Sequence, residues 1–318
     1  MWLGKEPEEV VVKQSTDLAI STGQAEILLS RWLGSSVACS RVTRLEGGML
    51  NSVLRLEFDR DPHTAVIKMS SEEGADFAGE KKRLDYLRDV GGLRCPEVFV
   101  VGIADEEMPY AFLLMEDLRG ANLETAQLPA ADRASIEYQL AEALLHLHSH
   151  KRATFGQIDE DPGPTCWTDI VVPRLIDMRS EMEGILHPSV LSDIDIAIDA
   201  APDIFSSQGE PCLIHGDMWA GNIIVALSGS KWTVSGFIDP GVQYADVEHE
   251  LAYLQAFDTV GAAFFDAYTA HVSMRPGFEF RRLFYWLNTY MIHVWLFGDR
   301  VYRDKTASVA SAIARRYR

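Results

Sequence analysis

The chain has 318 residues, of which 47% are hydrophobic and 24% charged, and a formal net charge of -18. That length suffices for about two domains around a sizeable core. So acidic a chain argues against nucleic-acid backbones and anionic lipid surfaces as partners, because both require basic patches. No run approaches the roughly 18 apolar residues of a membrane helix. The start, MWLGKEPEEVVVK, carries charges where a signal peptide needs an apolar core. A soluble, cytoplasmic protein is expected.

Residues 1–30 carry no readable chemistry. RVTRLE (41–46) and VLRLEF (53–58) flank Gly47 and Gly48, and VLRLEF alternates apolar and charged residues as a half-buried strand does. A strand–Gly-Gly–strand turn can bring backbone N–H groups to phosphates; an ordinary hairpin turn fits the residues equally well. AVIKM (65–69) is a short apolar strand carrying Lys68. In FAGEKKRLDYLRDVGG (77–92), Phe77, Leu84 and Leu87 recur at helical spacing, and the glycine pair ends the helix. Glu80 falls on the apolar face of that helix. A buried carboxylate needs a partner: Lys68 is one, and Arg83 on a solvated edge is the other. VFVVG (98–102) and AFLLM (111–115) are two more strands.

After Leu118 the character changes. RGANLETAQLPAADR is a polar linker, and helical patterns follow over 132–149 and about 172–185, 188–200, 246–260 and 279–300. One β segment, 212–238, interrupts them. The reading is α+β: a small sheet lobe with one helix, residues 1–118, followed by a larger, mostly helical lobe, residues 119–318. Backbone groups at the join, Met115, Glu116 and Leu118, could hydrogen-bond adenine or form a plain linker.

Chemistry concentrates in CLIHGDMWAGNIIVALSGSKWTVSGFIDPG (212–241). IIVAL and WTVSGFI read as strands joined by an SGS turn. Folding that hairpin brings Asn222, before the first strand, beside Asp239, after the second, with Asp217 close by. Mg²⁺ takes oxygen ligands and is usually held by one or two protein groups plus phosphate oxygens. Asn222 and Asp239 suit that role, and Asp217 suits the base that orients an attacking hydroxyl. The same residues also suit ordinary turns at strand ends. His215 reads as a buried scaffold residue. In HLHSH (146–150), His146 and His150 share a side and His148 points away, so no metal site is formed. The aromatic run 284–297 has the spacing of a packed helix. The cysteines, at 39, 95, 166 and 212, form no CxxC pair and read as reduced thiols. No Walker-type G-x-x-x-x-G-K-[ST] occurs.

This arrangement resembles the aminoglycoside phosphotransferase and choline-kinase-like superfamily, which shares the bilobal protein-kinase fold. Within it the sequence is most similar to the fructosamine/ketosamine kinases. HGDMWAGN (215–222) is similar to that family's HGDLWxGN, DPGVQYADVEHELAYL (239–254) to its DPxxxYGxxExELAxx, and GGMLNSVLRL (47–56) to its GGxxNxxYxV loop. ALLHLHS…FG (143–156), the Trp167 segment and NTYMIHVWLFG (288–298) line up in order, so the resemblance covers most of residues 45–300. It implies an ATP- and Mg²⁺-dependent kinase of a sugar-amine hydroxyl, with antibiotic or other metabolite kinases as alternatives; a non-catalytic nucleotide-binding module of the same fold is the remaining reading. It implies nucleotide contacts at Gly47, Gly48, Lys68, Glu80 and the 115–118 segment, the base at Asp217, and metal ligands at Asn222 and Asp239. Trp219 and Tyr244 would line the sugar pocket. The chain departs from the family pattern at Met49, Ala220 and Ala245.

Overall fold

The computed structural model describes residues 18–45, 51–72, 75–160 and 162–318. Gly47, Gly48 and Met49, and with them the loop expected to approach phosphate, lie outside the described residues.

Helix α1 (Thr22–Leu33) leads into β1 (Cys39–Arg44), β2 (Ser52–Phe58) and β3 (Thr64–Ser70), then α2 (Phe77–Asp89), β4 (Val98–Gly102) and β5 (Ala111–Glu116). The strands form an antiparallel sheet in the order β1-β2-β3-β5-β4. Successive side chains of a strand point to opposite faces, and that rule sorts the sheet's two coverings. Ala65, Ile67 and Met69 of β3 pack with Leu28 and Leu29 of α1 on one face. Val66 joins Phe77, Leu84 and Leu87 of α2 on the other. Lys68 has the parity of Val66 and therefore points towards α2. Helix α1 was not anticipated from sequence. Its start is a capping box, in which the Ser21 side chain accepts from the Gln24 N–H and the Gln24 side chain reaches back to the Ser21 N–H.

The polar linker contributes a short strand, β6 (Ala121–Asn122), before α3 (Ala130–His148) and β7 (Gly156–Gln157). Helices α4 (Thr168–Glu181) and α5 (Pro188–Phe205) come next, then β8 (Cys212–Ile214), β9 (Ile223–Ser228), β10 (Lys231–Phe237) and β11 (Gln243–Ala245). The chain closes with α6 (Val247–Ala256), α7 (Ala262–Thr269), α8 (Phe278–Phe297) and α9 (Arg300–Ala314). Strands β9 and β10 form the expected hairpin, with Ser228 opposite Lys231 and Gly229 in the left-handed conformation at the turn. Strand β6 adds to its edge, and β7, β11 and β8 make a second small antiparallel sheet.

The helix expected over 246–260 is shorter than read. It ends at Ala256, and α7 starts after Gly261, because Asp258 takes a left-handed φ and breaks the run. The core against α2 continues without a break into the helices, through Leu140, Trp167, Phe205 and Phe284 to Ile313. The fold is α+β and kinase-like, and no helix among the described residues is long and apolar enough to cross a membrane.

One buried ion cluster fastens α6 to α8. The carboxylate of Glu248 accepts from Arg281 Nε at 2.6 Å and Nη2 at 2.7 Å, and Arg275 lies 3.0 Å away. Arg275 also donates to both oxygens of Asp246, which caps α6 by accepting from the Glu248 N–H. Removing one partner of a buried pair leaves a charge without compensation. Arg281→Met should therefore lower unfolding stability by about 3 kcal/mol, read from the urea midpoint. A loss below about 1 kcal/mol would mean that Arg275 alone satisfies Glu248.

Candidate active site

The central cluster is ionic. Lys68 Nζ donates to both oxygens of Glu80 at 2.9 Å and to Asp239 Oδ1 at 2.7 Å. Of the two partners open to Glu80, Lys68 takes it; Arg83 turns instead to Asp76 and to the Pro240 carbonyl. Burial alone would pull the Lys68 ammonium down, but Asp239 and Glu80 outweigh it and hold the group above its ordinary value. Burial raises Glu80, against the pull of Lys68. For Asp239 the order reverses: Lys68 overcomes burial and keeps the carboxylate low.

The hairpin explains why Asp239 meets residues so far away in sequence. Ile223 pairs with Phe237, and the Ile238 N–H donates to the Asn222 carbonyl, so Asn222 and Asp239 leave the same end. Asp239 sits at φ 52°, a left-handed conformation that Asp tolerates better than most residues. Asn222 Nδ2 donates to the carbonyl and to Oδ2 of Asp217, both at 2.9 Å. The other carboxylate oxygen of Asp217 accepts from the Tyr253 hydroxyl.

The loop carrying Asp217 is held from below by Glu250, whose place on the apolar stripe of its helix suggests a structural role. Glu250 of α6 is fully buried and accepts from the His215 N–H at 3.0 Å and the Gly216 N–H at 2.8 Å. His148 Nε2 lies 3.2 Å from the same carboxylate, and His148 Nδ1 lies 2.8 Å from the Tyr268 hydroxyl. Burial would raise Glu250, but its hydrogen bond with His148 and the neighbouring imidazoles hold it low. His148 thus points away from His146 and His150, whose rings meet edge-on at 5.0 Å. Gly216 is required by the turn: its φ is +83°, and a Cβ there would lie 2.2 Å from the Gly241 carbonyl oxygen. His215 is fully buried, and desolvation lowers its imidazole, so it is neutral scaffold.

Two cavities meet at this cluster. One, of about 580 Å³, is lined by Val66, Met115, Glu116 and Leu118, together with Asn222 and Asp239. The other, of about 510 Å³, is lined by Lys68, Glu80, Asp217, Trp219, Asn222 and Asp239, and by Tyr253. The two share Asn222 and Asp239. The structure therefore brings together every sequence-predicted site residue within the described segments except Tyr244. That residue is buried in β11, its hydroxyl 2.9 Å from that of Tyr86 and its ring beneath the Arg152 guanidinium. It lies outside the residues lining either cavity, because pairing with β7 and β8 buries β11 between its neighbours. Trp219, unlike Tyr244, lines the same cavity as Asp217; it packs over Gly221, where a Cβ would lie 2.4 Å from it.

Tyr253 was missed because its role depends on where α6 lies. Burial raises the Asp217 carboxyl, and the hydrogen bond from Tyr253 opposes that rise. Removing the hydroxyl takes away a stabilising donor to the charged form, so the pKa must rise further. In Tyr253→Phe the Asp217 carboxyl should titrate at higher pH than in the parent protein, read by carboxyl-carbon NMR. An unmoved titration in a folded variant would show that the hydroxyl does not act on that carboxyl.

Comparison with known proteins agrees with this geometry. Residues 41–284 match the family model "Phosphotransferase enzyme family". Ketosamine-3-kinase of Mus musculus is 32% identical over 316 residues, covering 89% of this chain and 98% of that protein. The chloroplastic protein-ribulosamine 3-kinase of Oryza sativa subsp. japonica is 26% identical over 310 residues, covering 92% and 85%. Among solved structures, a Haemophilus somnus 129PT protein to which fructosamine-3-kinase activity has been ascribed superposes with a TM-score of 0.71 at 19% identity, covering 91% and 96%. A thermostable mutant of aminoglycoside phosphotransferase APH(4)-Ia, in complex with AMP-PNP and hygromycin B, gives 0.67 at 17%, covering 92% and 98%. At these identities the structural likenesses establish the fold. The family match spans most of the chain, and this protein is therefore an enzyme that belongs to the phosphotransferase enzyme family.

Proposed function

We propose that the protein is an ATP- and Mg²⁺-dependent kinase that phosphorylates a hydroxyl of a ketosamine. The observation that carries the reading is the convergence of Lys68, Asp217, Asn222 and Asp239 on one cavity. Residues 1–118 form the nucleotide lobe in this reading and residues 119–318 the catalytic and acceptor lobe. Lys68, fixed by Glu80, binds the nucleotide phosphates, and the Met115–Leu118 segment lines the space for the base.

The donor set suits a hard cation. Asn222 turns its amide nitrogen to Asp217, which leaves its carbonyl oxygen for another partner. Asp239 has one oxygen on Lys68 and keeps the other. Oxygen donors of this kind, completed by phosphate oxygens, are what Mg²⁺ takes. Bound there, the ion supplies charge neutralisation for the transferred phosphoryl group. Asp217 orients the acceptor hydroxyl and accepts its proton, while Asn222 and Tyr253 fix the carboxylate plane. Trp219 walls the acceptor side.

The ketosamine assignment is supported by relatives named as ketosamine and ribulosamine kinases, aligned over most of their length. The four cysteines are free thiols, which suits a reducing compartment such as the cytoplasm.

Asp217→Asn should lower kcat by about 10²–10⁴-fold with ATP binding retained, measured by coupled phosphorylation kinetics and calorimetry. Near-normal turnover would remove Asp217 from the chemistry. In an acceptor screen of ketosamines, simple amines and aminoglycosides, turnover should select the ketosamines. Selective phosphorylation of one antibiotic class, with no ketosamine turned over, would overturn the substrate assignment and leave the phosphotransferase intact.

A further inference from the structure

Beyond Asp217 the cavity runs into a wall of rings. Tyr253 and Phe257 close the end of α6, with ring centroids 4.8 Å apart. Phe257 lies 5.0 Å from His293 at the end of α8, and His293 lies 4.6 Å from Tyr302 in the first turns of α9. All four line the same cavity as Asp217, along with Ile292 and Phe297. Three helix ends thus supply one continuous apolar, aromatic surface beside the base.

The charges around that surface are few. His293 donates from Nδ1 to the Thr289 carbonyl at 2.8 Å, and burial depresses its imidazole, so the ring is neutral. The lining cations are already engaged: Lys68 by Glu80 and Asp239, and Arg83 by Asp76 and the Pro240 carbonyl. Lys305 lies over the Tyr290 and Tyr302 rings and is not a lining residue. Among the described lining residues, the one carboxylate outside the Lys68–Asp217 cluster is that of exposed Glu124; Asp299, which does not line the cavity, also acts on Tyr302.

Aromatic faces attract a single organic cation and bind an apolar body. One carboxylate at the mouth can balance one ammonium. A polycationic sugar would press further ammonium groups against rings with too few carboxylates among the described lining residues to match them, at a cost in desolvation. We infer that this wall is the subsite for the substituent on the acceptor's amine nitrogen, and that it selects an apolar, preferably aromatic, substituent on a monocation. The inference rests on the kinase reading and adds to it the part of the acceptor that does not react.

The test compares kcat/KM, at saturating ATP and Mg²⁺, for 1-deoxy-1-(benzylamino)fructose, its unsubstituted 1-amino parent and kanamycin. The benzyl compound should exceed the parent by at least about tenfold, with no turnover of kanamycin. The ratio should fall towards one in Phe257→Ala and, as a milder change that keeps the fold packed, in Phe257→Leu. Equal kcat/KM for the two ketosamines overturns the inference and leaves the kinase reading standing. So does a benzyl preference that survives in both Phe257 variants, since the substituent then sits elsewhere. Turnover of kanamycin alone, or of no acceptor by protein that binds ATP, overturns both.

Discussion

A single buried ammonium ties the two halves of the site together. Lys68 belongs to the sheet, Glu80 to the helix packed on it, and Asp239 to the end of a hairpin 171 residues further along the chain. A charge taken out of water must be matched by close partners. The requirement sets the position of α2 against β3 and of the hairpin end against both. It also keeps Lys68 cationic, which is the state in which it can hold phosphate, and keeps Asp239 ionised, which is the state in which it can hold a metal.

Asp217, the base of the proposed reaction, is placed by a second buried charge. Glu250 grips two successive N–H groups of the loop that carries Asp217, and His148 braces Glu250 from α3. Hydrogen bonds to a charged acceptor are stronger than neutral ones, so the loop is held rigidly although it has no regular secondary structure. Asn222 and Tyr253 then fix the two carboxylate oxygens from opposite sides. These partners come from the hairpin end, from α6 and from α3, which makes the orientation of Asp217 a property of the assembled region.

The same helices decide what stands next to the base. Rings at the ends of α6, α8 and α9 converge there because their apolar faces pack along α8, leaving the last turns of α6 and α8 and the first of α9 to line the cavity. The polar cluster lies at the hairpin ends and the rings lie on the helix ends. Changes in one can therefore leave the other in place.

Local patterns in the sequence were enough for the strands of the first sheet, the Lys68–Glu80 pair, the SGS hairpin and the convergence of Asp217, Asn222 and Asp239. Each depends on side-chain alternation, helical spacing or turn chemistry over a few residues, and such signals survive in one dimension. The opposed directions of His146 and His148 were legible for the same reason. Helix α9 carried a readable stripe, Thr306, Val309, Ala310 and Ile313, that went unused. Other features had no local signal. Tyr244 sits in a motif beside the catalytic segment, yet strand pairing buries it away from the cavities. Tyr253, His293 and Tyr302 read as core-forming aromatics, and only the crossing of three helices brings them beside Asp217. Glu250 is a polar residue on an apolar stripe in one dimension, and its partners, His148 and the 215–216 amides, reach it only in the folded chain. The sequence by itself thus determined which polar residues converge, because residue types and short spacings specify this. The tertiary structure decided the rings beside Asp217 and the support of its loop, because both are made by residues that meet only when distant helices pack.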